Sequence, residues 1–274
     1  MVERPTASIR RHSIMVRVTH WINAACLLIL LMSGLQIFNA HPALYWGQAS
    51  AFDHPLLALT ATDSNEAGIR GITQILGHAF DTTGLFGAST GPGDQIWARG
   101  FPSWLTLPSY QDLSTGRRWH FFFAWLLVFN GAVYLVYGLT SGHLRRDLLP
   151  TRLQLRKIGH TIREHLLLRF PHGDEARHYN VLQKLTYLAV ALVLLPLVVL
   201  TGLTMSPGID AAVPELLTIF GGRQSARTIH FLAASGLVLF VLVHVAMTLL
   251  SGAWNNLRSM LTGTYVLPGG PHAH

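Results

Sequence analysis

Two histidines, His230 and His244, lie in the apolar stretch SARTIHFLAASGLVLFVLVHVAMTLLSG, residues 225–252. They are 14 residues apart, which on an α-helix returns the second to within ~40° of the first and ~21 Å along the axis. One face of one membrane-length helix therefore presents an imidazole near each side of a bilayer. Ionisable side chains at that depth are costly and point to function. Two neutral imidazoles at this spacing suit two haems stacked across the membrane, one ligand from this helix to each iron. Each iron then needs a second axial ligand from elsewhere in the chain.

Half of the 274 residues are apolar and 12% are charged, the balance of a polytopic membrane protein with sizeable loops. Four spans are expected, at 18–39, 119–141, 181–205 and 228–251, each near the length a bilayer requires. The expected class is all-α: a single membrane domain, a four-helix bundle with a long outer loop (40–117) and an amphipathic helix in a cytoplasmic loop (142–180). Cys26 is the sole cysteine, which excludes an intramolecular disulfide and a CxxCH attachment, so any haem is b-type. Arginines precede the first span as in a signal peptide, but its apolar run is longer than an h-region and the span is expected to be retained.

The net charge of +7 is distributed for a membrane and not for nucleic acid. Arg4, Arg10, Arg11 and Arg17 precede the first span, and nine basic residues from Arg145 to Lys184 lie between the second and third spans or at the start of the third. The loop between the first two spans holds Arg70 and Arg99 before the Arg117-Arg118 pair, against Asp53, Asp63, Glu66, Asp81, Asp94 and Asp112. The positive-inside rule puts both termini and the middle loop in the cytoplasm of a bacterial inner membrane. His20 then enters the first span at the inner face, and His120 opens the second at the outer face. His230 is outer and His244 inner, so depth pairs His120 with His230 and His20 with His244.

Each of three histidines has an arginine three residues earlier, Arg17, Arg117 and Arg227. That spacing puts the guanidinium on the same helix face about one turn nearer water, where it can clamp a haem propionate. Flanking charge alone accounts for the cytoplasmic Arg17. It accounts poorly for the two outer arginines.

The other histidines carry less. His143 flanks a helix end, His160, His165, His172 and His178 fall in the basic loop, His41, His54 and His78 in the outer loop are expected to be solvated, and His12, His272 and His274 are tail residues. Gly34, Gly131, Gly138, Gly202 and Gly236 suit either close helix packing or the approach of a flat macrocycle. Pro196 should kink the third span, which has no histidine and reads as a scaffold wall. Leu155, Ile158, Ile162 and Leu166 form one stripe of a basic amphipathic helix suited to an anionic inner leaflet. The outer loop, with Tyr45, Trp46, Trp97, Trp104 and Tyr110, reads as a cap over the outer haem or a docking surface.

RVTHWINAACLLILLMSGLQIF, GRRWHFFFAWLLVFNG, LQKLTYLAV with LTGLTMSPG, and the fourth span's H-x13-H together resemble the prokaryotic cytochrome b561 family. That family includes the b-type cytochrome subunits of nickel-iron hydrogenases, formate dehydrogenases and thiosulfate reductase. The resemblance covers the spans and little of the outer loop. It implies a four-helix membrane subunit with two b haems that links a redox partner to quinone, with His20, His120, His230 and His244 as ligands and quinone near the inner haem. It also implies an extracytoplasmic partner of the molybdopterin oxidoreductase type.

The expected function is therefore electron transfer between an extracytoplasmic redox subunit and membrane quinone, bis-imidazole ligation favouring one-electron transfer over oxygen binding. A stand-alone quinone oxidoreductase fed by a small reductant such as superoxide is one alternative. A haem-free transporter or proton channel is another, weakened by the absence of Asp and Glu from the spans. A plain structural anchor gives no reason for histidines in the spans.

Overall fold

The computed structural model describes residues 8–64, 68–142, 149–156, 158–159, 162–163 and 181–266. Four long helices stand out: α1 (Ile14–Asn39), α2 (Leu113–Thr140), α4 (Val181–Thr204) and α7 (Arg223–Leu250), of 26, 28, 24 and 28 residues. At 1.5 Å per residue they are roughly 36–42 Å long, enough to cross a bilayer. Leu28, Phe122, Phe129, Leu139, Leu192, Leu239 and Leu242 on these helices are exposed, while Thr19, Ser33, Gln36, Asn130 and Thr201 are buried. Large apolar groups outside and small polar groups inside suit lipid as the solvent. The expected mainly helical membrane class holds, with a minor β component that it did not include. Each helix begins four to six residues before its expected span except α4, which begins with it.

The chain divides into two compact units, one of Met1–Ile22, Asn130–Leu195 and Gly236–His274, the other of Asn23–Phe129 and Pro196–Ser235. In the first unit, strand β1 (Ser8–Arg10) pairs antiparallel with β8 (Thr264–Val266), Ile9 opposite Tyr265, and the Arg11 guanidinium lies 4.7 Å over the Tyr265 ring. Helix α8 (Ala253–Thr262) follows α7 through Gly252, whose φ of 107° is open to glycine. Its polar side is bound within the unit: Asn255 exchanges hydrogen bonds with the Val266 backbone, and Ser259 is buried. Its terminal carbonyls, which lack helical donors, accept from Trp21 Nε1 onto Met260 at 3.2 Å and from Arg17 onto Leu261 at 2.6 Å. Trp254, 78% exposed, Leu257 and Leu261 form its free side. Of the expected cytoplasmic amphipathic helix, the short α3 (Arg152–Arg156) is described. Lys157, His160, Thr161 and residues 164–180, with Leu166, His165, His172 and His178, lie outside the described residues, as do His143, His272 and His274.

In the second unit the expected long loop is a folded β module. Strands β2 (Ala43–Leu44), β3 (Leu57–Ser64), β4 (Gly68–Ile75) and β5 (His78–Asp81) form an antiparallel sheet in that order, and β6 (Ala88–Thr90) pairs with β7 (Ile96–Ala98). Leu76 and Gly77 join β4 to β5 with φ of 49° and 87°, the two positive values of a tight hairpin turn. Phe38 from α1 packs with Leu44, Leu59 and Phe101 of the module. The first turn of α7 is capped from the module side: Gln224 and Ser225 N–H groups both donate to the Gly47 carbonyl at 3.1 Å, and Arg223 N–H donates to Gln48 Oε1. Two short helices, α5 (Pro207–Ala212) and α6 (Pro214–Ile219), lead into α7.

Arg99, 2% exposed, staples the module. Its guanidinium donates to the Phe101 carbonyl at 2.7 Å, the Ser109 carbonyl at 3.0 Å and Thr106 Oγ1 at 3.0 Å. Arg99→Ala would take the donor from the buried Thr106 hydroxyl and leave the Phe101 carbonyl with only the 3.5 Å contact from Asn39 Nδ2, so it is expected to destabilise the module by about 2 kcal/mol. Proteolysis within residues 40–112 along a denaturant series measures this, and a wild-type midpoint contradicts it.

Candidate cofactor site

His120 on α2 and His230 on α7 meet in the second unit, ring centroids 6.2 Å apart and planes at 61°. Each ring is held at Nδ1 by a hydroxyl. Ser33 on α1 donates its proton to the Ile29 carbonyl at 2.6 Å, so its oxygen, 3.1 Å from His120 Nδ1, is left to accept. Thr201 on α4 donates to the Leu197 carbonyl at 2.6 Å and stands 3.2 Å from His230 Nδ1. The Val198 carbonyl, 3.0 Å from the same nitrogen, also accepts. A carbonyl cannot donate, so His230 carries its proton on Nδ1, and the committed Ser33 hydroxyl places the His120 proton likewise. Each neutral imidazole then has its lone pair on Nε2.

Each hydroxyl residue is followed by a glycine against the same ring. A methyl group on Gly34 would stand 3.3 Å from His120 Cε1, and one on Gly202 would stand 3.3 Å from His230 Cε1. The third span, read as a histidine-free wall, therefore belongs to the site through Val198, Thr201 and Gly202. The turn Val190–Leu194 of α4 is π-helical, just before Pro196, the residue expected to disturb this helix because it lacks an N–H.

His20 on α1 and His244 on α7 meet in the first unit, with centroids also 6.2 Å apart and planes at 58°. Aromatic rings flank this pair. Phe240, one turn before His244, stacks on it at 5.8 Å, Tyr187 of α4 stands edge-on at 6.5 Å, and Trp21 lies 5.5 Å from His20.

Among the described residues no three His, Cys, Asp or Glu side chains gather in one place. Each pair thus offers a metal two ligands, the number that an iron already held in a porphyrin needs. An imidazole nitrogen lies about 2 Å from a metal it binds, so two in line put ring centroids about 6 Å apart. Both pairs stand at that distance, and the glycines let two of the rings take it up, so the residues fit haem. The family model for prokaryotic cytochrome b561 matches residues 11–263.

The chain belongs to the prokaryotic cytochrome b561 family.

It is also 30% identical over 240 residues to the putative protein-methionine-sulfoxide reductase subunit YedZ1 of Azospira oryzae, covering 87% of this chain and 90% of that protein. As a prokaryotic cytochrome b561 it is a membrane haem protein that transfers electrons.

Around these pairs the three arginines differ. Arg117 is exposed, its guanidinium 5.6 Å over the Phe121 ring. Arg17 donates one N–H to Leu261, and its buried Nε has no partner among the described residues. Arg227 donates to the backbone carbonyls of Ala43 and His41 and lies 5.2 Å over Phe38, tying the β module to α7.

His54 and His78 are exposed as expected, but His41 is half-buried. Its ring packs on Tyr45 and Phe52, and its buried Nε2 has no partner among the described residues. Burial, and then the Arg227 charge beside it, hold the imidazole below its ordinary value of 6.5. The folded ring stays neutral where an unfolded chain takes up a proton, so its contribution is present above that value and declines as pH falls towards the lower folded one. Module stability should fall over this window, and His41→Gln should flatten the fall; parallel pH profiles for both proteins contradict the assignment.

Ser33 and Thr201 had no place in the sequence reading. Their sequence signal is a hydroxyl residue before a glycine in each of two spans, Ser33-Gly34 and Thr201-Gly202.

Proposed function

We propose that this cytochrome is a di-haem conduit linking membrane quinone to a redox subunit on the outer face of a bacterial inner membrane. The observation that carries the reading is the twofold occurrence of a histidine pair at 6.2 Å, His20 with His244 and His120 with His230. Haem held between two imidazoles is six-coordinate and supplies one-electron transfer. In this reading each pair ligates one iron, and the apolar helix faces around the rings keep water from it.

Arg17 and Arg117 retain N–H groups for propionate carboxylates, and Arg227 keeps those that its two carbonyl partners do not use. The basic residues before α1 and between α2 and α4 support cytoplasmic termini; in this reading the β module, with its exposed Trp46, Phe52 and Trp104, is on the outer side. The relative described as a subunit of a putative protein-methionine-sulfoxide reductase supports a partner that reduces methionine sulfoxide; its outer location follows from the charge bias, and the molybdopterin oxidoreductase class is what the family resemblance implies. Such a reduction takes two electrons and two protons per sulfoxide and releases water, so electrons would run from quinol outward.

Purified protein should give a b-type spectrum, two components in a redox titration, and reduction of both by quinol. A haem-free preparation, or a single component at one haem per chain, contradicts the reading.

A further inference from the structure

The pairs His120–His230 and His20–His244 share a ring separation but differ in what touches the rings. In the second unit, α1 and α4 each bring a hydroxyl residue followed by glycine to one imidazole. Ser33 Oγ gives its proton at 2.6 Å to Ile29, four residues back, and Thr201 Oγ1 gives its own at 2.6 Å to Leu197, also four residues back. Both oxygens are thereby left as acceptors, at 3.1 Å and 3.2 Å from an Nδ1, and both residues are fully buried. A hydroxyl so committed cannot turn and donate to the ring. In the first unit, the ring contacts of His20 and His244 among the described residues, besides each other, are Trp21, Tyr187 and Phe240.

We infer that Ser33 and Thr201 are positioning residues that lower the redox potential of the cofactor ligated by His120 and His230. An acceptor at Nδ1–H draws that proton outward and makes Nε2 a stronger donor. A stronger donor stabilises the ferric over the ferrous ion. The Val198 carbonyl shares the His230 proton and the Leu30 carbonyl that of His120, so each hydroxyl is one of two acceptors and its removal has a graded effect. Gly34 and Gly202 let both contacts form, since their Cα hydrogens occupy space where a side chain would push the ring away. This inference rests on the haem reading above and adds an asymmetry to it: one component has its potential set by hydroxyls, the other does not.

The test is a redox titration of the full-length protein carrying Ser33→Ala, Thr201→Val, both together, or the hydroxyl-retaining Thr201→Ser. Each hydroxyl-free single variant should weaken the ferric preference of one component about threefold. The double variant should weaken it about tenfold, which is about 59 mV more positive for a one-electron couple. The other component should stay in place, and Thr201→Ser should titrate as wild type. Loss of one component from the hydroxyl-free variants, with retention in Thr201→Ser, also supports the role. Unmoved potentials in the double variant overturn the inference, as does Thr201→Ser behaving like Thr201→Val. The haem reading fails separately, if the wild-type protein itself lacks two b-type components.

Discussion

His244→Ala is expected to halve the haem content and to remove one of two b-type components from the redox titration while leaving the other. The expectation follows from how each pair is assembled. His20 and His244 belong with Trp21, Tyr187 and Phe240 to one compact unit, and His120 and His230 belong with Ser33, Gly34, Thr201 and Gly202 to the other. A haem held by this pair would lose half of its protein ligation, and among the described residues no third His, Cys, Asp or Glu stands beside the pair. On the proposed di-haem reading, quinol-driven electron transfer across the membrane should then stop. Haem determination per chain, with the titration, measures this directly. Retention of both components at wild-type stoichiometry would show that His244 ligates nothing.

The second large effect is expected from Gly202→Leu. A Cβ at this position would already lie 3.3 Å from His230 Cε1, and an alanine there requires a shift of a few tenths of an ångström. A leucine carries its branch about one bond further, into the volume of the ring. Neither α4 nor α7 can withdraw cheaply from a close-packed contact, so the imidazole is forced out of line and its component should be lost. Gly34→Leu should act in the same way on His120, also 3.3 Å away. Gly131 provides the control, because nothing lies within 4 Å of its added Cβ. Gly131→Ala should leave both components in place and, as a helix-interior glycine replaced by alanine, should be neutral or stabilising by up to about 1 kcal/mol. If Gly202→Leu retained the wild-type haem content, the glycine would be a packing residue only.

The four helices were legible because lipid imposes a coarse demand, long apolar runs, that needs no knowledge of partners. The two histidine pairs were legible because span order and charge bias fix depth. The β module was hidden by its own chemistry. LALTATDS and GIRGITQI alternate with small and β-branched residues, so the period-two signal of β3 and β4 is faint beside the Gly, Ser and Thr content that marks a loop. Arg99 counted in the sequence as a stray outer charge, and its burial among three acceptors depends on the fold of 101–109. His41 is half-buried for the same reason: its ring packs on Tyr45, and Phe52 reaches it only after the chain bends through 46–49. The hydroxyl contacts of Ser33 and Thr201 could not be inferred from helix periodicity, because they join residues 87 and 29 positions apart.

The pairing of β1 with β8 joins Ser8–Arg10 to Thr264–Val266, and this has a bearing on biogenesis. Chains emerge from the ribosome N-terminal end first. Every residue of the unit with His120 and His230 has been made once Ser235 is added, whereas its counterpart needs residues as late as Val266. The His120–His230 pair can therefore assemble on a shorter nascent chain, and the unit of His20 and His244 waits for the strand that ends at Val266.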